Sequence, residues 1–127
     1  MSTRPEGLLF SRDHMWAAVS GGVAQVGLTD FAQESLGDIV DVSLPDANDR
    51  VTAGQACGDI ESTKSVSDLV APVSGTVTAV NRELGEHPEL INTEPYGSGW
   101  LMEIRIDAGT GTGDLLSADD YKQLIGH

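Results

Sequence analysis

Cysteine, basic residues and long apolar runs are all scarce in this chain of 127 residues. The single cysteine, Cys57, excludes an internal disulfide and a metal site built from clustered thiolates. No segment approaches the roughly 20 consecutive apolar residues that a membrane-spanning helix requires. The first residues show neither the apolar run of a signal peptide nor the acid-poor composition of a transit peptide. We therefore expect a reduced, cytoplasmic setting.

The shortage of basic residues gives the chain a strongly negative charge. Lys and Arg number 7 against 20 Asp and Glu, so the formal net charge is −13. Such a surface repels phosphate backbones and anionic lipid headgroups, and neither nucleic acid nor membrane is expected as a partner. Two interpretations stay open: the charge favours docking on basic patches of partner proteins, or it only maintains solubility.

Aromatic residues make up only 5% of the chain, whereas glycine occurs 15 times. This composition is typical of β structure with many turns, and the length fits one compact domain. Two apolar runs, residues 15–19 and 23–28, flank Ser20-Gly21-Gly22 and predict a hairpin. A short helix should follow, capped by Thr29 or Asp30 and ended by Gly37.

Further elements follow from alternation and from cap residues. Apolar and polar residues alternate over 39–44 and 101–107, which predicts two strands. Residues 81–100 contain several glycines and prolines and are predicted to be rich in loops, and GTGTG at 109–113 is predicted to be a linker. The C-terminal helix is predicted over about 117–125, and its first residue, a serine, is the N-cap.

One segment of the sequence is similar to another. VSGGVAQV (residues 19–26) and VSGTVTAV (residues 73–80) agree at five of eight positions, 54 residues apart. We interpret the pair as a duplicated strand–turn–strand unit, which predicts two similar halves folded face to face.

Lysine is nearly absent, and one of the two lysines lies at a predicted turn. Lys64 separates residues 56–61 from residues 66–71, and both runs have strand character. The turn has no Gly, Asn or Asp, so we expect a loop built around a type I turn, which tolerates most residues. An exposed lysine on a rigid hairpin is suited to modification by another enzyme.

The residues around Lys64 argue against a catalytic amine. A lysine that attacks as a free amine needs a lowered pKa, usually through burial. Asp59, Glu61 and Asp68 lie close in the sequence, and nearby negative charge favours the protonated form instead. We therefore expect no Schiff-base chemistry at this position.

Catalytic motifs are missing elsewhere in the sequence. His14, His87 and His127 have no second His or Cys at the spacing of a metal site, and there is no P-loop, nucleophile elbow or dinucleotide motif. We predict that His14 is a partly exposed strand residue. An enzyme with Lys64 or Cys57 as nucleophile is the least favoured hypothesis, and we predict no catalytic and no metal-binding residue.

The segment GDIESTKSVSDLVAPVSGTV resembles the lipoylation segment of the glycine cleavage system H-protein family. The shared pattern is Glu-Ser-x-Lys, followed by Ser-Asp and then by Pro-x-Ser-Gly. Other segments resemble the family in the same order and spacing: DHMW, GLTDFAQESLGDIVDVSLP, NTEPYGSGWLMEI and LLSADDYKQLI. The resemblance covers nearly the whole chain.

This resemblance implies a mainly β lipoyl-domain fold, a barrel-sandwich hybrid of two antiparallel sheets with pseudo-two-fold symmetry. Short helices, including a C-terminal one, would complete a single domain over residues 1–127 with its core at about 8–107. The resemblance also implies that Lys64, on a hairpin turn, is joined by an amide to lipoate.

The implied role is that of a shuttle and not of an enzyme. In the family, the lipoyl group accepts an aminomethyl group when a pyridoxal-phosphate glycine decarboxylase acts on glycine. A tetrahydrofolate-dependent aminomethyltransferase takes the methylene group and releases ammonia, and dihydrolipoyl dehydrogenase reoxidises the dithiol. A lipoate-attaching enzyme, the fourth implied partner, loads Lys64.

The sequence departs from the family pattern at two positions. Met15 stands where the family commonly has Glu, and Phe31 stands where it often has His or Tyr, so no contact with the lipoyl group is carried over for either. Two alternatives stay open: a biotin carrier, and an H-like protein that relays lipoate to other enzymes. A biotinylated lysine typically lies between two methionines, whereas Lys64 lies between Thr63 and Ser65.

Overall fold

The computed structural model describes residues 7–109 and 115–126. Within these ranges the chain forms nine strands, three α-helices and a short 3-10 helix. The strands are β1 (Leu9–Phe10), β2 (Met15–Ser20), β3 (Val23–Leu28), β4 (Ile39–Ser43), β5 (Arg50–Val51), β6 (Ala56–Ser62), β7 (Val66–Val70), β8 (Gly75–Val80) and β9 (Met102–Ile106). The helices are α1 (Asp30–Leu36), α2 (Leu90–Thr93) and α3 (Ala118–Ile125), and the 3-10 helix is Arg82–Gly85.

The strands form two antiparallel sheets, which confirms the predicted fold class. The larger sheet has the order β1-β2-β3-β9-β8-β5, and the smaller has the order β4-β6-β7. The main core contains the buried faces of both sheets, for example Val26 and Ile104 from the larger and Ile60 and Leu69 from the smaller. None of the helices in the described ranges is long and apolar enough to cross a membrane.

The C-terminal helix packs against the other face of the larger sheet. Along β2, Met15 belongs to the main core and Trp16 to a second cluster with Phe10 and Tyr121, as the alternation of a strand requires. The ring of Tyr121 stacks on Phe10 with 4.8 Å between centroids. Helix α3 is therefore attached to β1 and β2 by aromatic packing.

The predicted helix caps are confirmed. Thr29 is the N-cap of α1, and its hydroxyl accepts the N–H of Ala32 at 3.2 Å. Gly37 ends that helix with φ of +82°, a conformation that side chains disfavour. Ser117 caps α3, and its hydroxyl accepts the N–H of Asp120 at 3.2 Å. These caps fix both ends of α1 and the start of α3.

Several local predictions need correction. Residues 81–100 are rich in loops as predicted, but they also contain two elements that were not predicted, the 3-10 helix and α2, which bury Leu84 and Ile91. Strand β4 has an irregularity between Ile39 and Asp41 that leaves Val40 46% exposed, so its alternation is broken. The GTGTG segment lies outside the described residues except for its first glycine.

The two similar segments lie in the same sheet, on either side of β9. Val26 and Val80 both pair with Met102. The first segment contains the tight β2–β3 hairpin turn, whereas Ser74 in the second lies in the connection from β7 to β8, between the two sheets. The segments are thus not equivalent hairpins, and the pseudo-two-fold relation stays a prediction.

Candidate functional site: the Lys64 hairpin and the adjoining cavity

A serine side chain organises the turn that carries Lys64. Strands β6 and β7 pair up to Glu61 and Val66, and the N–H of Ser62 donates to the carbonyl of Ser65 at 2.8 Å. The Ser62 hydroxyl oxygen accepts the N–H groups of Lys64 and Ser65, each at 3.2 Å. Because this buried hydroxyl satisfies the turn, the hairpin forms without Gly, Asn or Asp.

The turn is also attached to the junction between α1 and β4. The N–H of Thr63 donates to the carbonyl of Asp38 at 3.0 Å. On the other side of this junction, the side chain of Asn92 accepts the N–H of Ile39 at 2.8 Å and donates to the carbonyl of Gly37 at 2.9 Å. The hairpin tip is therefore supported from below by hydrogen-bonded backbone.

Lys64 is exposed at this tip, as predicted. Its side chain lies along Gly37, since a Cβ built on Gly37 would be 3.3 Å from the Lys64 Cε and 3.7 Å from its Nζ. Within residues 7–109 and 115–126, Lys64 takes part in no salt bridge. The amine therefore lies on a turn that hydrogen bonds support, and no carboxylate in the described part of the chain forms a salt bridge with it.

The carboxylates predicted around Lys64 lie on the outward face of the smaller sheet. Asp59 pairs directly with Asp68 across β6 and β7, and Asp41 pairs with Glu61 across β4 and β6. Like charges placed opposite each other in a sheet are unfavourable, so this arrangement does not serve stability. Val66, beside these residues, is 66% exposed. The face beside the hairpin is negative with an apolar residue at its edge.

A cavity of about 360 Å³ lies between α1 and strands β6 and β7, a size at the lower end of that of small-molecule pockets. Its apolar lining residues are Leu28, Phe31, Ala32, Leu36, Ile60 and Val70. Its polar lining residues are Arg12, Asp13, His14, Ser35, Ser67 and Asp68. The cavity adjoins the hairpin, because Leu36 precedes the glycine on which Lys64 packs and Ser67 lies three residues after Lys64.

His14 is a wall residue of this cavity and not the strand residue that was predicted. It lies in the bend before β2 with φ of +68°, which non-glycine residues seldom adopt. Its ring lies 5.0 Å from that of Phe31, measured between centroids. Burial lowers the pKa of His14, and the nearby carboxylate of Asp13 opposes this only in part. The imidazole is therefore neutral at pH 7.

The two departures from the family pattern have different surroundings. Met15 is 1% exposed in the main core and does not line the cavity, whereas Phe31 lines the cavity beside His14.

Cys57 lies in β6 away from this cavity, and burial raises the pKa of its thiol, so little thiolate is present at neutral pH. His87 is exposed and lies 3.2 Å from a Glu89 carboxylate oxygen, and His127 lies outside the described residues.

Comparison with known proteins finds relatives of one family over nearly the full length of this chain. The family model described as Glycine cleavage H-protein matches residues 8–127. The chain is 53% identical over 123 residues to a protein named Glycine cleavage system H protein from Micrococcus luteus, covering 95% of this chain and 96% of that one. It is 50% identical to a "Probable glycine cleavage system H protein" from Haloarcula marismortui, covering 95% of each.

A solved structure shows the same fold. The crystal structure of a glycine cleavage system H protein from Mycobacterium marinum superposes with a TM-score of 0.89 at 39% sequence identity. The match covers 98% of this chain and 100% of that one. The sequence matches and the structural match therefore indicate the same family.

Proposed function

Because the chain belongs to the glycine cleavage H-protein family, whose members are the lipoyl shuttles of the glycine cleavage system, we propose that its lipoate is attached through an amide to Nζ of Lys64. One observation carries this assignment: an exposed lysine lies at the tip of a hydrogen-bonded hairpin and has no salt bridge within the described ranges. Lys122, the other lysine of the chain, lies on α3.

The residues around Lys64 fit this group. A ligase needs to reach the amine, and exposure at a braced turn permits that without unfolding of the sheet. Lipoate, when attached, supplies a disulfide that opens to two thiols. Amide formation removes the lysine charge, so the neighbouring carboxylates of Asp59, Glu61 and Asp68 become the dominant charge at the tip.

The adjoining cavity is the proposed resting place for the end of the lipoyl arm and its cargo. Leu28, Leu36 and Ile60 provide an apolar wall for contact with an alkyl chain. Asp13 and Asp68 are the acidic residues of the lining, and they favour a positively charged amine over a neutral one. A sheltered aminomethyl cargo would be kept from bulk water while the protein diffuses between enzymes.

The proposal includes the partners and the absence of catalysis by this chain. The partners are the pyridoxal-phosphate glycine decarboxylase, the tetrahydrofolate-dependent aminomethyltransferase, dihydrolipoyl dehydrogenase and a lipoate-attaching enzyme. The negative outward face of β4, β6 and β7 supports docking on basic surfaces of such proteins. The tethered arm raises the local concentration of its end at each active site.

We also propose a cytoplasmic location, which the single cysteine fits, and one lipoyl-type domain.

The test is exchange of the glycine carboxyl group with bicarbonate, catalysed by purified glycine decarboxylase. The lipoylated protein should support exchange, and the Lys64→Arg variant prepared with the same ligase should not. Lys122→Arg is the matched control, because it removes the other lysine and should leave exchange unchanged.

The alternatives give different results. Exchange that survives Lys64→Arg would refute the site. Lipoylation of Lys64 without any exchange, together with transfer of lipoate to other enzymes, would favour the relay function.

A further inference from the structure

The two lysines of this chain are both exposed, so exposure alone does not select Lys64 as the residue that receives lipoate. Lys122 lies on the regular backbone of α3, whereas Lys64 lies at the tip of the β6–β7 hairpin. An attaching enzyme that discriminates between the two amines therefore has to recognise the shape of this tip. One side chain beneath the tip, that of Ser62, determines much of its shape.

The hydroxyl group of Ser62 makes three hydrogen bonds inside the turn. Its oxygen accepts the N–H groups of Lys64 and Ser65, and its proton is donated to the Ser65 carbonyl, each at 3.2 Å. The two N–H groups belong to the two peptide units that flank the Lys64 Cα. Because each peptide unit is planar, holding both of them restricts the backbone dihedral angles of Lys64 itself. The Ser62 side chain is only 6% exposed, so this support lies beneath the tip.

Two further contacts limit the movement of the tip as a whole. The N–H of Thr63 donates to the carbonyl of Asp38 at 3.0 Å, and the aliphatic part of the Lys64 side chain lies along Gly37. Both contacts are made with the junction between α1 and β4. The Ser62 hydroxyl thus fixes the local backbone, and the junction fixes the direction in which the side chain leaves it.

We propose that Ser62 is a positioning residue for the attachment of lipoate: its hydroxyl holds the tip in the conformation that the attaching enzyme binds. This inference rests on the proposed function, because it concerns the loading of Lys64. Without the hydroxyl, the two N–H groups form hydrogen bonds with water, and the tip samples other conformations. The apparent affinity of the enzyme then falls in proportion to the fraction of molecules in the competent conformation.

This role predicts a specific change in the kinetics of attachment to Ser62→Ala. The bound enzyme selects the same tip conformation, so kcat should stay close to that of wild type while KM for the protein rises. We expect KM to rise about fivefold or more, the effect of losing at least one neutral hydrogen bond from the competent conformation. The variant should fold, since β6 and β7 pair through their own backbone and the freed N–H groups belong to exposed residues.

Ser11→Ala is the matched control for the loss of a buried hydroxyl. Ser11 is 5% exposed, and its hydroxyl oxygen accepts the N–H of Met15 at 3.1 Å. It lies before β2 and not in the β6–β7 hairpin, so its replacement should lower stability without changing the tip. Both KM and kcat for attachment to Ser11→Ala should match those of wild type.

Amide hydrogen exchange of the unlipoylated protein, followed by NMR, tests the same geometry without any attachment reaction. The N–H groups of Lys64 and Ser65 should exchange about fivefold or more slowly than in an unstructured peptide, because each is hydrogen-bonded to the Ser62 hydroxyl. Ser62→Ala should remove this protection, and Ser11→Ala should keep it.

Three outcomes would refute the positioning role: exchange of both N–H groups at peptide rates in wild type, a wild-type KM for Ser62→Ala, or equal increases in KM for both serine variants. A wild-type protein whose Lys64 does not accept lipoate would instead refute the proposed function and leave the exchange rates as expected.

Discussion

Replacing Asn92 by Asp should weaken the support beneath Lys64 in a predictable way. The Asn92 amide donates to the Gly37 carbonyl at 2.9 Å and to Oε1 of Gln33 at 3.0 Å, and its oxygen accepts the N–H of Ile39 at 2.8 Å. Asn92→Asp keeps the acceptor for Ile39. It also places a negatively charged oxygen opposite two acceptors, where the amide had placed two donors.

The expected loss of stability can be worked out from these contacts. Two hydrogen bonds at about 1 kcal/mol each are lost, and a half-buried carboxylate faces two oxygens, so the free energy of unfolding should fall by about 2–4 kcal/mol at pH 7. For a denaturant slope of about 2 kcal/mol/M, the middle of the usual range, a loss of this size lowers the urea midpoint by roughly 1–2 M.

The loss should depend on pH, because a protonated carboxyl can donate one of the two missing bonds. The pKa of the introduced carboxyl is thus raised by folding, and its penalty should shrink as the pH falls toward about 4. Urea unfolding of Asn92→Asp and Asn92→Ala at both pH values measures this. The alanine variant should show no such recovery, and an Asp variant as stable as wild type at pH 7 would refute the reasoning.

Two further predictions concern a close strand contact and an exposed ion pair. A Cβ at Gly58 would overlap the Ser43 carbonyl oxygen, so Gly58→Ala should lower the free energy of unfolding by roughly 2–4 kcal/mol. Gly85 has open space around it, so Gly85→Ala should cause no such loss. Equal urea midpoints for the two variants would contradict this prediction. The hydrogen bond from Arg50 holds the pKa of Asp107 below its ordinary value of 3.8. The stabilisation from this ion pair is present above that value and disappears in acid, so Asp107→Asn should lower the melting temperature at pH 7 but not in acid. A difference in melting temperature between wild type and Asp107→Asn that grows in acid would contradict this prediction.

The sequence was sufficient where local chemistry decides the structure. Glycines at the β2–β3 turn, Thr29 and Ser117 as caps and the alternation of β9 each act within a few residues, and each prediction is confirmed. The exposed position of Lys64 at a turn was also predictable, because strand-like runs flank it. These features need no knowledge of distant contacts.

The rest depends on residues far apart in the chain. The contact between His14 and Tyr121 joins positions 107 residues apart, and no local pattern indicates it. The positive φ of His14 has no glycine to signal it. The Ser62 hydroxyl replaces the usual turn residues, and the prolines and glycines of residues 81–100 obscure two short helices. The cavity therefore had to come from the structure.

Intact-mass measurement of protein incubated with lipoate and a lipoate-attaching enzyme tests the central claim most directly. Wild type and Lys122→Arg should each gain the mass of one lipoyl group, and Lys64→Arg should gain none. The urea midpoint of Lys64→Arg should stay close to that of wild type. Lys64 is exposed and forms no salt bridge within the described ranges, and a substitution at such a position changes the free energy of unfolding by about 0.5 kcal/mol or less. A lipoyl group on Lys64→Arg, or none on the wild-type protein, would contradict the account.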